Sequence, residues 1–320
     1  MALPEILKGR LSVPAMAAPM FIISGPELVI SQCKAGVVGS FPALNAREKG
    51  ELEQWLIQIT QELETYNKAN PEKPAAPFAV NLILHKFNMR LEPDLALCEK
   101  YQVPIVITSL GARSDVNDKV HAYGGIVFHD IIHNTYAKKA IQKGADGLIA
   151  VAAGAGGHAG IQSPMALIQE IRNWFDGPLL LSGSIATGDS ILAAQAMGAD
   201  LAYIGSAFIA TIEARAVAEY KDSIVKYNAE DIVYSNLFTG VHGNYLKPSI
   251  KDAGLDPNNL AVSEPGKLNI GGNKAWKDIW GCGQGIGAIS EQRSAAEYIA
   301  SLVNEYNRAF DRLATLKHIA

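Results

Sequence analysis

One imidazole stands in a stretch of chain otherwise stripped of bulky side chains: Gly154-Ala155-Gly156-Gly157-His158-Ala159-Gly160, directly after the apolar run Leu148-Ile149-Ala150-Val151. Four glycines and two alanines leave nothing to crowd a flat ligand lying on the backbone. Histidine's ordinary pKa lies nearest neutrality, so at the C-terminal end of a strand it is a candidate for proton transfer. A tight glycine turn carrying an incidental histidine would leave the same trace. The rest of the chain has to choose between the two.

Two further clusters offer backbone to an anion. Ser182-Gly183-Ser184 and Gly205-Ser206 each close an apolar run; glycines there let N–H groups approach a phosphate, and the serine hydroxyls add donors. His129-Asp130-Ile131-Ile132-His133 has the i, i+4 spacing of a zinc helix, with aspartate where a protease has glutamate. A strand-like Gly125-Ile126-Val127-Phe128 runs straight into it, so no metal site is expected and His129 and Asp130 read as strand-end residues. Gly281-Cys282-Gly283-Gln284-Gly285-Ile286-Gly287 has the glycine spacing of a dinucleotide fingerprint, but no strand precedes it and no βαβ unit follows. It reads as flexible backbone presenting the Gln284 amide near the barrel mouth, or as a purely structural hinge. No carboxylates pair at strand ends as glycoside hydrolysis would require.

The elements that must position these residues repeat. Short apolar runs recur at Val13–Ala17, Val37–Ser40, Phe78–Leu82, Ile105–Thr108, Ile126–His129, Gly147–Val151, Leu179–Ser182 and Leu201–Ile204. They are apolar throughout rather than alternating, as buried parallel strands are. Helical spacing lies between them, at Glu51–Asn67, Asn134–Lys143, Ser163–Trp174 and Asp189–Met197, and Lys143-Gly144-Ala145-Asp146 and Met197-Gly198-Ala199-Asp200 repeat one helix stop and strand start. About eight such units within the first 210 residues predict an α/β fold, a (β/α)8 TIM barrel, whose chemistry belongs at the strands' C-terminal ends. After Thr211 the pattern changes to a helical run, Ile212–Tyr227, an irregular stretch from Tyr234 to Gly287, and a final amphipathic segment, Glu291–Lys317. The expected organisation is a barrel from 1–211 with a closing helix from 288–320, and a mainly helical, irregular extension from 212–287 over the barrel mouth, on the substrate side.

Composition narrows the function class. The 320 residues carry 28 basic and 32 acidic side chains, a net charge of −4, which leaves no electrostatic footprint for nucleic acid or an anionic membrane. No run approaches the roughly 18 apolar residues of a spanning helix. Cys33, Cys98 and Cys282 are widely spaced, without a Cys-x-x-Cys or a secretory segment, and point to a reducing cytoplasm. Small-molecule chemistry is the expectation.

The ordered set Ala18-Pro19-Met20, Phe78-Ala79-Val80-Asn81, Ala155-Gly156-Gly157-His158-Ala159-Gly160, Ser182-Gly183-Ser184, Gly205-Ser206-Ala207-Phe208-Ile209-Ala210 and Gly283-Gln284-Gly285 resembles the nitronate monooxygenase family, formerly called 2-nitropropane dioxygenases, from about residue 13 to residue 287. The resemblance implies a flavin mononucleotide (FMN) barrel in which His158 faces the flavin ring as the catalytic residue. It implies a phosphate on the Gly183 and Gly205 turns, with the backbone of Pro19 and Met20 and the side chain of Asn81 beside the isoalloxazine. Ala18, Asp130, Gly156, Gly157, Ser182, Ser184, Ser206 and Gln284 complete the expected cofactor contacts. Two residues depart from the pattern: Gly154 stands where many members carry an acidic residue, and Asp130 where some have lysine. A cation there would favour reduced, anionic flavin, so an aspartate does the opposite or plays a different part. The implied reaction is oxidation of an alkyl nitronate by dioxygen to a carbonyl compound and nitrite. The alternative is an NAD(P)H-dependent flavin reductase acting on quinones or enoyl-acyl-carrier-protein substrates, since relatives of both kinds share the loop histidine.

Overall fold

The computed structural model describes residues 3–263 and 276–315. Eight strands build the barrel: β1 (Ala15–Ala17), β2 (Gly39–Pro42), β3 (Phe78–Ile83), β4 (Ile105–Ser109), β5 (Ile126–Ile131), β6 (Gly147–Val151), then, after the two-residue β7 (Gly157–His158), β8 (Leu179–Ser182) and β9 (Leu201–Ile204). Their order is β1-β9-β8-β6-β5-β4-β3-β2 with every pair parallel. Met16 also bridges in parallel to Val38, and the Ala17 N–H donates to the Val38 carbonyl at 2.8 Å, which brings β1 back beside β2 and closes the ring.

The unbroken apolar runs follow from burial on both faces. Ile105 and Ile107 pack inside the barrel with Phe128, Ile149, Leu180 and Leu201, whereas Val106, Val127 and Leu148 pack outward against helices. Helices α1 (Pro26–Lys34), α2 (Glu51–Ala69), α3 (Leu91–Lys100), α4 (Ser114–Ala122), α5 (Asn134–Gln142), α6 (Pro164–Arg172) and α7 (Gly188–Met197) follow the first seven barrel strands. In α2 the buried Leu52, Trp55, Leu56, Ile59 and Leu63 form one stripe at helical spacing. Thr187 and Ser190 make a reciprocal capping box at the start of α7, and Gly198 ends it with φ 112°.

Strand β9 leads into the short α8 (Ser206–Ile209) and then into an excursion before the wall is completed. The excursion holds α9 (Ala218–Lys226), the antiparallel strands β10 (Ile232–Ser235) and β11 (Gly243–Leu246), and α10 (Lys247–Asp252). The final helix, α11 (Ala295–Thr315), packs against both α7 and α1, in the place of the eighth barrel helix. Gly188 lets the two helices touch: a Cβ there would lie 2.1 Å from the Tyr306 nitrogen.

Two expected boundaries shift for a shared reason. Thr211 bridges to Arg293, and the Ile212 N–H donates to the Arg293 carbonyl at 3.0 Å, so both segments are held extended before their helices begin. The helix predicted from Ile212 starts at Ala218, and the one predicted from Glu291 starts at Ala295. The predicted end at Lys317 lies outside the described residues. Among those residues no helix is long and apolar enough to cross a membrane.

Candidate active site

The C-terminal ends of the strands surround a cavity of about 760 Å³, inside the roughly 300–1,000 Å³ range of small-molecule and cofactor sites. One wall is bare backbone. Gly156 and Gly157 after β6, Ser182, Gly183 and Ser184 after β8, and Gly205 and Ser206 after β9 all line it, as do Ala18, Pro19 and Met20 after β1. Gly183 has φ 134°, and a Cβ there would meet the Ala153 carbonyl oxygen at 2.7 Å. At Gly156 a Cβ would lie 2.7 Å from the Gly283 nitrogen and 2.8 Å from Ser206 Oγ. Ser206 Oγ accepts from the Gly283 N–H at 2.7 Å and keeps its own proton to donate. Ser184 holds φ 58° without being glycine, a backbone conformation that costs about 1–3 kcal/mol and concentrates at functional sites. Gly205 differs: its φ is −111°, and the nearest atom to a Cβ would be Ala18 Cβ at 3.4 Å.

The opposite wall is polar. Asn81, on β3, donates to the Ile107 carbonyl (3.2 Å) and to Ser109 Oγ (2.7 Å), and Ser109 in turn donates to Asp130 Oδ2 at 2.5 Å. Asp130 Oδ1 and the Tyr203 hydroxyl are buried without a hydrogen-bond partner among the described residues. Burial pushes the Asp130 carboxyl up to about 6, with the Ser109 hydrogen bond pulling the other way. Tyr203 is pushed well above its ordinary value, first by burial and then by the Asp130 charge. His129 pairs through Nδ1 with Thr108 Oγ1 at 2.6 Å, and burial lowers it to about 4. His133, its i+4 neighbour, is instead the N-cap of α5, accepting from the Tyr136 N–H. The two imidazoles therefore belong to a strand and a cap, not to one helical face. Among the described residues no group of three metal-ligating side chains forms.

His158 is set from both sides of the chain. Its two-residue strand β7 pairs antiparallel with β11, His158 opposite Gly243. The Asn244 amide donates to the Ala155 carbonyl (2.7 Å), the Tyr234 hydroxyl to the Ala159 carbonyl (2.8 Å), and the Ala159 N–H to the His242 carbonyl (3.2 Å). The excursion thus clamps the heptad from Ala155 to Ala159. The imidazole is half-buried, with Nε2 2.8 Å from Thr239 Oγ1 and its ring edge-on to Trp276 at 5.4 Å. Burial lowers it to about 4, so it is neutral at neutral pH.

The cavity collects every sequence-predicted site residue except one. Gln284 starts a short 3-10 turn, is exposed, and lines a smaller neighbouring cavity of about 330 Å³ with Thr187, Ser190 and Asn228. Both its backbone and its side chain reach the heptad at Gly154: the Gln284 N–H donates to the Gly154 carbonyl at 2.9 Å, and a Cβ at Gly154 would lie 3.1 Å from Gln284 Oε1. Four contributors escaped sequence reasoning. Ser109 and Tyr203 sit at the ends of predicted strands, where inward alternation would have placed them at the mouth. Thr239 is 81 residues from His158 and carries no local signal. Asn45 braces the loop after β1, accepting from the Ile22 N–H and donating to the Met20 and Ser24 carbonyls, which holds Ile22 at φ 71°.

The nitronate monooxygenase family profile matches residues 5–305. The chain belongs to the nitronate monooxygenase family. Nitronate monooxygenases from Paraburkholderia phytofirmans and Neurospora crassa are 23% and 24% identical to it, over 94% and 91% of the chain and 94% and 88% of their own lengths. A Mycobacterium tuberculosis protein described as a putative monooxygenase is 26% identical over 70% of the chain, and the match spans 64% of that relative. Two solved structures share the fold: FabK from Thermotoga maritima (TM-score 0.77, 21% identity, 97% of each chain) and nitroalkane oxidase from Streptomyces ansochromogenes (TM-score 0.76, 20% identity, 96% of this chain and all of the other). Membership in this family of enzymes sets the prior for the cavity's chemistry; the residues in its walls refine it.

Proposed function

We propose that the chain is an FMN-dependent nitronate monooxygenase that oxidises alkyl nitronates with dioxygen to a carbonyl compound and nitrite. The observation that carries this reading is one cavity joining a bare backbone wall to a neutral imidazole and a polar floor. The walls fit a flavin on two counts. Side chains are missing along a whole wall, as a broad flat ring requires. Two buried polar atoms, Asp130 Oδ1 and the Tyr203 hydroxyl, lack partners that the polar edge of such a ring would supply, and an unpaired buried group costs about 1–3 kcal/mol.

In this reading the backbone of Gly183, Ser184, Gly205 and Ser206 holds the phosphate, with the Ser182, Ser184 and Ser206 hydroxyls beside it. Ala18, Pro19, Met20, Asn81, Gly156 and Gly157 enclose the ring, and Asp130 with Tyr203 meets its polar edge. Gln284, which lines the smaller neighbouring cavity, meets the site through Gly154 and supports the heptad from behind. Bound FMN supplies the electron transfer and the reactivity with oxygen that no side chain has. His158, neutral at working pH, hydrogen-bonds the nitro group or takes the α-proton of a neutral nitroalkane. Residues 1–211 and 288–320 form the cofactor-binding unit, and 212–287 the substrate side. The setting is cytoplasmic, in keeping with three buried free cysteines. Steady-state assays with an alkyl nitronate, a quinone and an enoyl thioester, each with and without NADH or NADPH, test the proposal. Oxygen-dependent nitrite release without a nicotinamide supports it; turnover only of the quinone or thioester, with a nicotinamide, replaces it with a reductase.

A further inference from the structure

We infer that Thr239 is a positioning residue that fixes His158 as its Nε2–H tautomer and so makes Nδ1 the basic nitrogen of the site. The rate consequence rests on the function proposed above; the tautomer does not.

Thr239 Oγ1 has one proton and four polar neighbours: the Val241 carbonyl oxygen at 3.0 Å, the Val241 N–H at 3.3 Å, His158 Nε2 at 2.8 Å and the Tyr245 hydroxyl, which can itself donate or accept. A carbonyl oxygen only accepts, so the Thr239 proton belongs to Val241. Giving it to His158 would leave two oxygens 3.0 Å apart with only lone pairs facing each other. Towards His158 the threonine therefore presents a lone pair, and Nε2 must carry the hydrogen. Nδ1 then holds the free lone pair; the side-chain hydrogen bond His158 makes to the described residues runs through Nε2.

This arrangement suits proton abstraction. When Nδ1 accepts a proton, the Nε2–H bond to Thr239 stays in place, so the imidazolium keeps one partner without rearrangement. The residue that sets the tautomer is itself rigid. Thr239 is 9% exposed, and its two bonds to Val241 close a tight turn just ahead of β11, the strand that pairs with His158. The excursion thus delivers both the backbone that aligns His158 and the oxygen that orders its protons.

The test uses the full-length protein with 15N-labelled histidine, His158 being assigned by its loss in His158→Gln. Long-range 1H–15N correlation is expected to show one neutral tautomer, protonated at Nε2, in the wild type and in Thr239→Ser. Thr239→Val, which removes the oxygen and keeps the shape, is expected to give a mixture or the other tautomer. In turnover Thr239→Val should lower kcat for a neutral nitroalkane about tenfold (~1.4 kcal/mol in the activation barrier) while changing KM little, and leave the preformed nitronate nearly unaffected. Thr239→Ser should restore the rate to within about twofold. A wild-type imidazole protonated at Nδ1, or an unchanged tautomer in folded Thr239→Val, would overturn the inference. The spectrum decides this even if the protein turns over neither substrate, so its failure is distinct from failure of the proposed function.

Discussion

The two walls of the cavity are built on opposite plans. Along β6, β8 and β9 the protein withholds side chains, and a methyl group added at Gly156 or Gly183 would strike backbone. Along β3, β4 and β5 it installs a chain of polar groups, Asn81 to Ser109 to Asp130, and leaves one carboxyl oxygen without a partner. The bare wall specifies shape, so its substitutions should act sterically. The polar wall specifies charge and hydrogen bonding, so its substitutions should show a pH dependence instead. His158 stands on the bare wall but takes its partners from the excursion, which makes it the one imidazole among the glycines and serines there.

His158→Ala gives the largest expected effect: kcat/KM for a neutral nitroalkane should fall by about 10²–10⁴, the usual worth of a general base, while flavin content stays near the wild-type level. Full turnover in the variant would move the chemistry off the bare wall. Gly183→Ala comes next. A side chain at φ 134° and 2.7 Å from the Ala153 carbonyl should destabilise the fold by about 2–4 kcal/mol, read as a lowered Tm, and should abolish cofactor retention.

Asp130→Asn probes the polar wall through pH. The folded carboxyl titrates near 6 against about 3.8 when unfolded, so the stability tied to its proton is present below about pH 4 and lost as pH rises through 6. At pH 7.5 the cofactor-free asparagine variant should be more stable than wild type by up to about 3 kcal/mol, and at pH 4 the difference should shrink to about 0.5 kcal/mol. Denaturant titrations at the two pH values check this; an equal gap at both would remove Asp130's titration from the account. The smallest effect is expected at Gly205→Ala, where a Cβ finds 3.4 Å of room and an ordinary φ. Tm should stay within about a degree, since the change is worth under ~0.5 kcal/mol to the fold. Flavin should nevertheless bind more weakly by equilibrium titration, because in this account the vacant space is the ligand's. Unchanged affinity would show that the bare wall is bare for packing reasons alone.

The same contrast explains what was legible in the sequence. The barrel strands were readable because burial on both faces makes them continuously apolar, and the glycine clusters because they interrupt those runs at strand ends. Asn81, Asp130, His158 and the serine turns were found by that logic. Strand β11 lies inside the stretch that reads as irregular, since its four residues, a glycine and an asparagine among them, show no period. Thr239 lies between β10 and β11, and only the pairing of β11 with β7 brings it to His158. The glycines flanking Gln284 approach Gly154 and Ser184 closely, and Gln284 itself lines the smaller cavity with its Oε1 beside Gly154, a placement that no local pattern gives. Local pattern locates the strand ends; the partner that orders the histidine is a product of tertiary pairing.

The central claim is that the bare wall holds a flavin which a nitronate reduces directly. Anaerobic mixing of the purified protein with an alkyl nitronate, and separately with NADH or NADPH, followed by visible absorbance, tests it most directly. The account predicts a yellow protein that releases FMN on denaturation, is bleached rapidly by the nitronate, and is left oxidised by either nicotinamide. A colourless protein that cannot be reconstituted with FMN, or a flavin bleached by a nicotinamide and untouched by the nitronate, would contradict it.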